Sequence, residues 1–430
     1  MSIGLYALCA AFMIGAVLRI PVVLTMFASG IVYLWASGQD VGLLVDQTLN
    51  NVIGMNSLLA IPMFILAANI MNAATISERL WRAANVLVGR FRGGHGHVTV
   101  LMNLAMSSMT GSAVSEAAGA GAVAIRMMRN EGRYPGGLAV SVAAAASLLG
   151  PVMPPSIPLV LYAVISGASV GALFLAGIVP AFLMAASLSV LITIMAYQRN
   201  LPRAPMAEKG SNARILLASL VPFTLPLVLL GGIWSGVFTP TEAASVAAFW
   251  AILLGVVYYR NLSARVLLAV FLESARQSAI VMTLIISSFI INYAITNDGL
   301  AQSIAGWIAG MQLTQFQFLL LVNVLFLILG TVLDGAVMLM VFVPVLLPTV
   351  NALGIDLVHF GVVAIINFMI AIISPPYGLV LFVLSSLTKV PMRDINREIW
   401  SFCLPLAIIM LLLIVFPEIV LFLPRMFGYK

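Results

Sequence analysis

From Gln277 to Thr388 the sequence has no lysine or arginine, and only Asp298, Asp334 and Asp356 bring carboxylates into it. Stretches of this kind fold in hydrocarbon, where an unpaired backbone amide or carbonyl is costly and the chain must satisfy its own polar groups. A helix can break there only where other protein groups or a ligand fill the exposed backbone. This chain carries two such breaks of the same type. Residues 107–158 run from SSMTGSAVSE to LLGPVMPPSIP, and residues 329–378 run from LGTVLDGA to IISPPYG. Each joins a glycine-broken apolar segment to a later apolar helix interrupted at a Pro-Pro. Paired breaks at matching places in two halves point to an ion and solute site near the bilayer midplane.

The composition excludes a soluble domain: 62% of the 430 residues are hydrophobic and 8% charged, with a mean hydropathy of +1.14. An all-α polytopic membrane protein is predicted. The basic residues behind the net charge of +6 cluster in short loops between apolar runs, so they read as topology markers and no nucleic-acid partner is expected. The opening MSIGLYALCA lacks the basic region and cleavage site of a removable signal, and insertion is expected to use the first spans. Cys9 and Cys403 are too few for a disulfide framework or a metal cluster.

A helix needs about 20 residues to cross a hydrocarbon core of about 30 Å. The runs read as crossing are 3–18, 22–38, 56–76, 136–166, 172–198, 214–236, 242–259, 277–296, 359–388 and 400–424. The apolar stretch 98–125 has Arg79, Arg82, Arg90 and Arg92 before it and Arg126, Arg129 and Arg133 after it. One crossing would strand a basic cluster outside; a re-entrant hairpin folded at Gly111, with arms of about 18 Å, returns both clusters to the cytoplasm. The stretch 314–350, flanked only by carboxylates, becomes a second hairpin entering from the opposite face. Arg425 and Lys430 fall outside in this scheme, against the usual bias.

PPSIPLVLY at 154–162 aligns with PPYGLVLF at 375–382, and the same offset of about 220 residues lays the Thr110–Glu116 turn over the Thr331–Asp334 turn. An internal duplication of inverted topology is predicted. The division that follows is 1–55 as N-terminal scaffold and 56–170 as a first transport repeat, with hairpin 98–129 and interrupted helix 136–166. Residues 171–276 supply further scaffold and the polar linker NLPRAPMAEKGSN; 277–390 form a second repeat, with hairpin 314–350 and interrupted helix 359–388; 391–430 form a terminal scaffold helix.

Thr110, Gly111 and Ser112 offer hydroxyls and pliable backbone at a hairpin tip, and hard cations prefer oxygen donors. Small residues also serve close helix packing; the Pro-Pro break and the second copy favour the site. Asp334 lies deep in an apolar run, where a carboxylate costs about 2.5 to 3.5 kcal/mol on insertion scales. Its partner is a bound cation or a hydroxyl and amide cage, unless it is protonated or caps a helix. Glu116 reads as a locally paired carboxylate close to a basic exit, and Asn69, Asn292 and Asn323 as interhelical links. His95-Gly-His97 suggests a metal pair, but without a carboxylate or cysteine cluster it is expected in an interfacial loop. No GxxxxGK[ST] motif is present for ATP, so active transport is expected to draw on an ion gradient or on an ATPase from another chain, and no serine has a plausible intramembrane base.

Over essentially its whole length the chain resembles the large membrane subunit of tripartite ATP-independent periplasmic (TRAP) transporters. The similarity lies in GSAVSEAAGAGAVAI, in the segment around GPVMPPSIP, in GVFTPTEAASVAA, in LGTVLDGAVMLMVFVPVLLPTVNALGIDLVHFGVV and in ISPPYGLVLFVLSS. It implies a sodium-driven importer of the bacterial inner membrane with an elevator mechanism, an inverted repeat, two re-entrant hairpins and two interrupted helices. It also implies three partners: a small four-helix membrane subunit, a periplasmic substrate-binding protein and an organic acid such as sialic acid or a dicarboxylate. Carried over by motif, the resemblance implies sodium at Thr110, Gly111, Ser112, Gly150, Pro151, Thr331, Asp334, Gly335, Ser374 and Gly378. It implies substrate at Ser112, Pro154, Pro155, Ser156, Thr331, Pro375 and Pro376. The family commonly has aspartate where this chain has Glu116. Competing expectations are a stand-alone carboxylate symporter or ion exchanger of related hairpin architecture, an ion channel and an intramembrane enzyme.

Overall fold

The computed structural model describes residues 2–18, 20–54, 56–74, 76–130, 134–204, 212–331, 333–375 and 378–429. Their regular structure is helical, apart from an isolated antiparallel bridge between Arg92 and Arg203. An N-terminal pair, α1 (Ile3–Val17) and α2 (Val22–Ala36), packs side by side and is followed by the shorter α3 (Leu43–Gly54). Then come α4 (Ala60–Ala73), α5 (Ile76–Val88) and α6 (Gly94–Thr110). Beyond a break, α7 (Ala113–Glu116) passes through a π-helical turn, Ala117–Gly121, into α8 (Ala122–Asn130). A second break separates α9 (Gly136–Ser147) from α10 (Ile157–Ser166), and α11 (Val170–Gln198) leads away. The middle of the chain holds α12 (Asn212–Leu220), α13 (Thr224–Trp234) and α14 (Pro240–Leu253). The succession then recurs: α15 (Ala264–Asn297), α16 (Leu300–Gly310), the broken pair α17 (Gln315–Gly330) and α18 (Gly335–Ala352), and the interrupted pair α19 (Leu357–Ala371) and α20 (Leu379–Thr388). The chain closes with α21 (Met392–Val415) and α22 (Pro417–Met426).

Six described helices are long and apolar enough to cross a bilayer: Val170–Gln198, Ile215–Trp234, Pro240–Tyr258, Ala264–Asn297, Gly335–Ala352 and Met392–Val415. The chain is a multi-pass membrane protein. Several predicted runs come out differently. The span expected at 277–296 lies inside a helix of 34 residues, whose first turns carry Arg265, Glu273 and Arg276; at 1.5 Å per residue it is about 51 Å long and outreaches the hydrocarbon core. The run 400–424 is two helices, because Pro417 starts a new one after Phe416 leaves helical geometry (φ −120°, ψ 78°). The predicted first two spans are helices of only 15 residues.

The halves interlock around the breaks. α10 packs on α18, and α20 on α7 and α8, so the helix leaving each break leans on the return arm of the other half. α9, from Gly137 to Ser147, is buried along its whole length between α6, α8 and α21. Its run Ala143–Ala146 shows how such burial is possible: small side chains let neighbouring backbones close in. Large apolar side chains such as Trp35, Leu227 and Phe249 face outward.

Candidate functional site

The first break begins at Gly111. Its φ of +61° ends α6 in a left-handed cap, a conformation that strains any residue with a β-carbon. Ser112 is extended (φ −141°, ψ 122°) and its Oγ accepts from the Ser115 N–H at 3.5 Å, starting α7. The chain then doubles back. Tyr134, just beyond α8, donates its hydroxyl to the Gly93 carbonyl at 2.9 Å and accepts from the Gly96 N–H at 3.1 Å, so the end of the return arm is tied to the start of α6. Burial pushes the Tyr134 phenol up to about 12, which keeps its proton in place for that donation.

The tip bears directly on the α9–α10 break. A β-carbon on Gly111 would stand 2.6 Å from the Pro155 carbonyl oxygen and 3.2 Å from the Ile157 nitrogen. Within the break the Pro154–Pro155 peptide is cis, and the buried Ser156 hydroxyl donates to the Pro151 carbonyl while accepting from the Leu159 N–H at 3.2 Å. Glu116 closes the cluster. It is 1% exposed; its Oε1 accepts from the Thr110 hydroxyl at 2.5 Å, and its Oε2 has no hydrogen-bond partner. A β-carbon on Gly150 would lie 2.8 Å from that carboxylate, so the absence of a side chain at Gly150 makes room for it.

Glu116 therefore departs from its predicted role. The described arginines of the basic exit do not pair with it: Arg126 is ten residues on, about 15 Å along a helix, and Arg129 donates to the Thr388 carbonyl at 3.4 Å; Arg133 lies outside the described residues. The partner of Glu116 is a hydroxyl from the opposite side of the tip. A buried carboxylate with one oxygen unpaired carries a penalty of several kcal/mol unless a proton or a cation compensates it. Asn72 was also missed as a site residue; its Nδ2 donates to the Ser115 hydroxyl at 3.0 Å and ties α4 to the tip.

The second break is its counterpart with different contents. Thr331 ends α17 and donates to the Ile328 carbonyl at 2.8 Å. Asp334 caps α18, its Oδ1 accepting from the Ala336 N–H at 2.9 Å, and is exposed rather than enclosed. Gln315 at the start of α17 donates to the Leu353 carbonyl beyond α18 at 2.8 Å, so these arms also return to their origin. The tip meets the end of α19: β-carbons on Gly330 and Gly335 would lie 2.7 Å from that of Ala371 and 3.5 Å from that of Phe368. Beyond it, the buried Ser374 hydroxyl donates to the Ile370 carbonyl at 2.7 Å, Pro375 is half-buried, and Gly378 (φ +54°) opens α20. Pro376 lies outside the described residues.

The structure thus gathers Thr110, Gly111, Gly150, Pro151, Pro155 and Ser156 around one tip, with Ser112 and Pro154 adjoining. It sets Thr331 and Gly335 against the end of α19, with Asp334 at the helix start. Elsewhere, Asn69 donates to Ser274 and Gln277 at 3.0 Å each, and Asn367 to the Asn323 side chain at 2.8 Å, both across helices. Asn292 lines a cleft between α3, α10, α15 and α18. The His95-Gly-His97 pair is not in a loop: both histidines are buried in the first turn of α6, where His97 meets Thr193 at 3.3 Å. Among the described residues no three His, Cys, Asp or Glu side chains cluster as a metal site.

The family model for the DctM component of tripartite ATP-independent periplasmic transporters matches residues 7–419. The chain is 37% identical over 374 residues to the sialic acid TRAP transporter large permease protein SiaM of Vibrio cholerae, covering 87% of each. It is 34% identical to the 2,3-diketo-L-gulonate TRAP transporter large permease protein YiaN of Escherichia coli, over 95% of this chain and 96% of that one. It is 35% identical to the C4-dicarboxylate TRAP transporter large permease protein DctM of Pseudomonas aeruginosa, over 86% and 87%. Among solved structures, the YdaH transporter of Alcanivorax borkumensis shares the fold at 15% identity and a TM-score of 0.64, covering 87% of this chain and 88% of that one.

Proposed function

This chain belongs to the family of DctM components, the large permease proteins of tripartite ATP-independent periplasmic transporters, and we propose that it imports an organic acid across the bacterial inner membrane by sodium symport. The relatives are permeases, not enzymes. The observation that carries the sodium reading is Glu116, a buried carboxylate with one oxygen unpartnered where a hairpin tip meets a helix break. The Thr110 hydroxyl holds it and Gly150 stands against it; the Ser112 hydroxyl and the carbonyls of Gly150 and Pro151 would supply further hard oxygen donors, the kind a sodium ion prefers to nitrogen or sulfur.

The second half would hold a further ion with Thr331, Asp334, Gly335, Ser374 and Gly378. The substrate carboxylate would meet the broken backbone at Pro154–Ser156 and Pro375, with Ser112, Thr331 and Pro376, the last outside the described residues. The starts of α10 and α20 there offer partial positive charge without a lysine or arginine. Relatives named for sialic acid, diketogulonate and C4-dicarboxylates support an organic acid as the class. Coupling requires that sodium bind the substrate-ready state more tightly than the other, since equal affinity shifts nothing.

The interlocked tips and breaks would move as one elevator body of two inverted repeats, past a scaffold formed by the remaining helices. The hairpins would re-enter from opposite faces. A small membrane subunit and a periplasmic substrate-binding protein would complete the system. Uptake by proteoliposomes holding both membrane subunits, supplied with loaded binding protein, tests this. An inward sodium gradient should drive accumulation that potassium cannot replace; accumulation without sodium contradicts the proposal.

A further inference from the structure

A cleft of about 490 Å³ lies between α6 and α11, and none of the residues of the two breaks lines it. Its floor is apolar: Val100, Leu101 and Leu104 of α6 face Ala185 and Ala186 of α11, with Phe182 at one end. Its other end is cationic and aromatic, where Arg92 lies over the Tyr197 ring at 5.0 Å. The backbone there brings a second cation alongside. Gly93 N–H donates to the Pro202 carbonyl at 3.1 Å and Ala204 N–H to the Gly89 carbonyl at 3.0 Å, which sets Arg92 and Arg203 opposite each other in an antiparallel bridge. Directly opposed like charges are unfavourable in such a pair. Both side chains are exposed, and among the described residues neither is paired with a carboxylate, whereas neighbouring Arg199 is paired with Glu398 at 2.8 Å.

An anion bridging Arg92 and Arg203 would relieve that opposition, and the apolar floor requires that it carry a hydrocarbon tail. From Tyr197 to Phe182 the α11 wall runs about 22 Å at 1.5 Å per residue, enough for an acyl chain descending through a leaflet about 15 Å deep. Apolar walls of that length ending in two cations unpaired among the described residues match one acyl chain beneath an anionic headgroup. We infer that this cleft seats an anionic phospholipid, its phosphate on Arg92 and Arg203 and one acyl chain between α6 and α11. Because α6 is an arm of the first hairpin, a chain wedged there stands where movement of that arm would be felt.

Native mass spectrometry of the purified full-length chain in detergent, titrated separately with phosphatidylglycerol, phosphatidylcholine and inorganic phosphate, tests the site. Wild-type protein should retain phosphatidylglycerol about tenfold more tightly than phosphatidylcholine, and phosphate alone should not compete at millimolar concentration. Arg92→Gln with Arg203→Gln should erase the headgroup preference but leave phosphatidylcholine retention as it was; Leu104→Trp, which fills the floor, should weaken both lipids with the arginines intact. Thermal unfolding in the same detergent keeps only variants that melt like wild type in the comparison, and Arg92→Lys should recover most of the preference. Equal retention of the two lipids by wild type, competition by free phosphate, or an unchanged preference in the double variant would overturn the inference.

Discussion

Glu116 is the residue on which the proposed cation site turns. Its Oε1 is held by Thr110, its Oε2 is free, and Gly150 leaves the space it occupies. Glu116→Gln keeps the shape but removes the charge, and sodium affinity should fall at least tenfold, about 1.4 kcal/mol, with the fold retained. Gly150→Ala tests the same contact from the other side: its methyl group would displace the carboxylate and should lower sodium affinity without altering the breaks. In the second half, Asp334→Ala should abolish sodium-dependent uptake in proteoliposomes while the protein stays folded. Uptake with wild-type sodium dependence would reduce Asp334 to its visible role as the cap of α18.

At the scale of elements, each hairpin has a polar staple at its base, Tyr134 on Gly93 and Gly96 in the first and Gln315 on Leu353 in the second. Tyr134→Phe removes two hydrogen bonds from a buried place and should destabilise the base by about 1 to 3 kcal/mol. Faster hydrogen exchange at 93–97 than at the α9 core would report it; unchanged exchange would mean that packing alone holds the base. The breaks themselves were legible in Gly111–Ser112 and in the paired prolines Pro154–Pro155 and Pro375–Pro376; a single proline does not suffice, since Pro180, Pro344 and Pro405 lie inside helices. Glu116 was not. Its partner lies six residues back across the turn, and linear reading gave it the arginines that follow. The long α15 was hidden for a related reason: Arg265, Glu273 and Arg276 look like loop residues until a helix outreaches the bilayer. The histidine pair reads as a loop from sequence because no carboxylate or cysteine cluster accompanies it, whereas both rings are buried in the first turn of α6.

Over the whole molecule, two halves built in the same order exchange contacts, α10 against α18 and α20 against α7 and α8. If these form one moving body, a cysteine cross-link between α10 and α18 should leave sodium-driven uptake within about twofold of the uncross-linked protein. Loss of uptake on cross-linking would show that the two halves shift against each other during transport. The direct test of the central claim is thermal unfolding of wild-type and Glu116→Gln protein with rising sodium chloride, against potassium chloride at equal ionic strength. A ligand bound only by the folded state stabilises it by about 2.7 kcal/mol at 100 times its dissociation constant. Sodium should raise the wild-type melting temperature in a saturable way that potassium does not, and the variant should lose that rise. Equal responses of the two proteins to sodium would contradict a cation held where the first hairpin tip meets the broken helix.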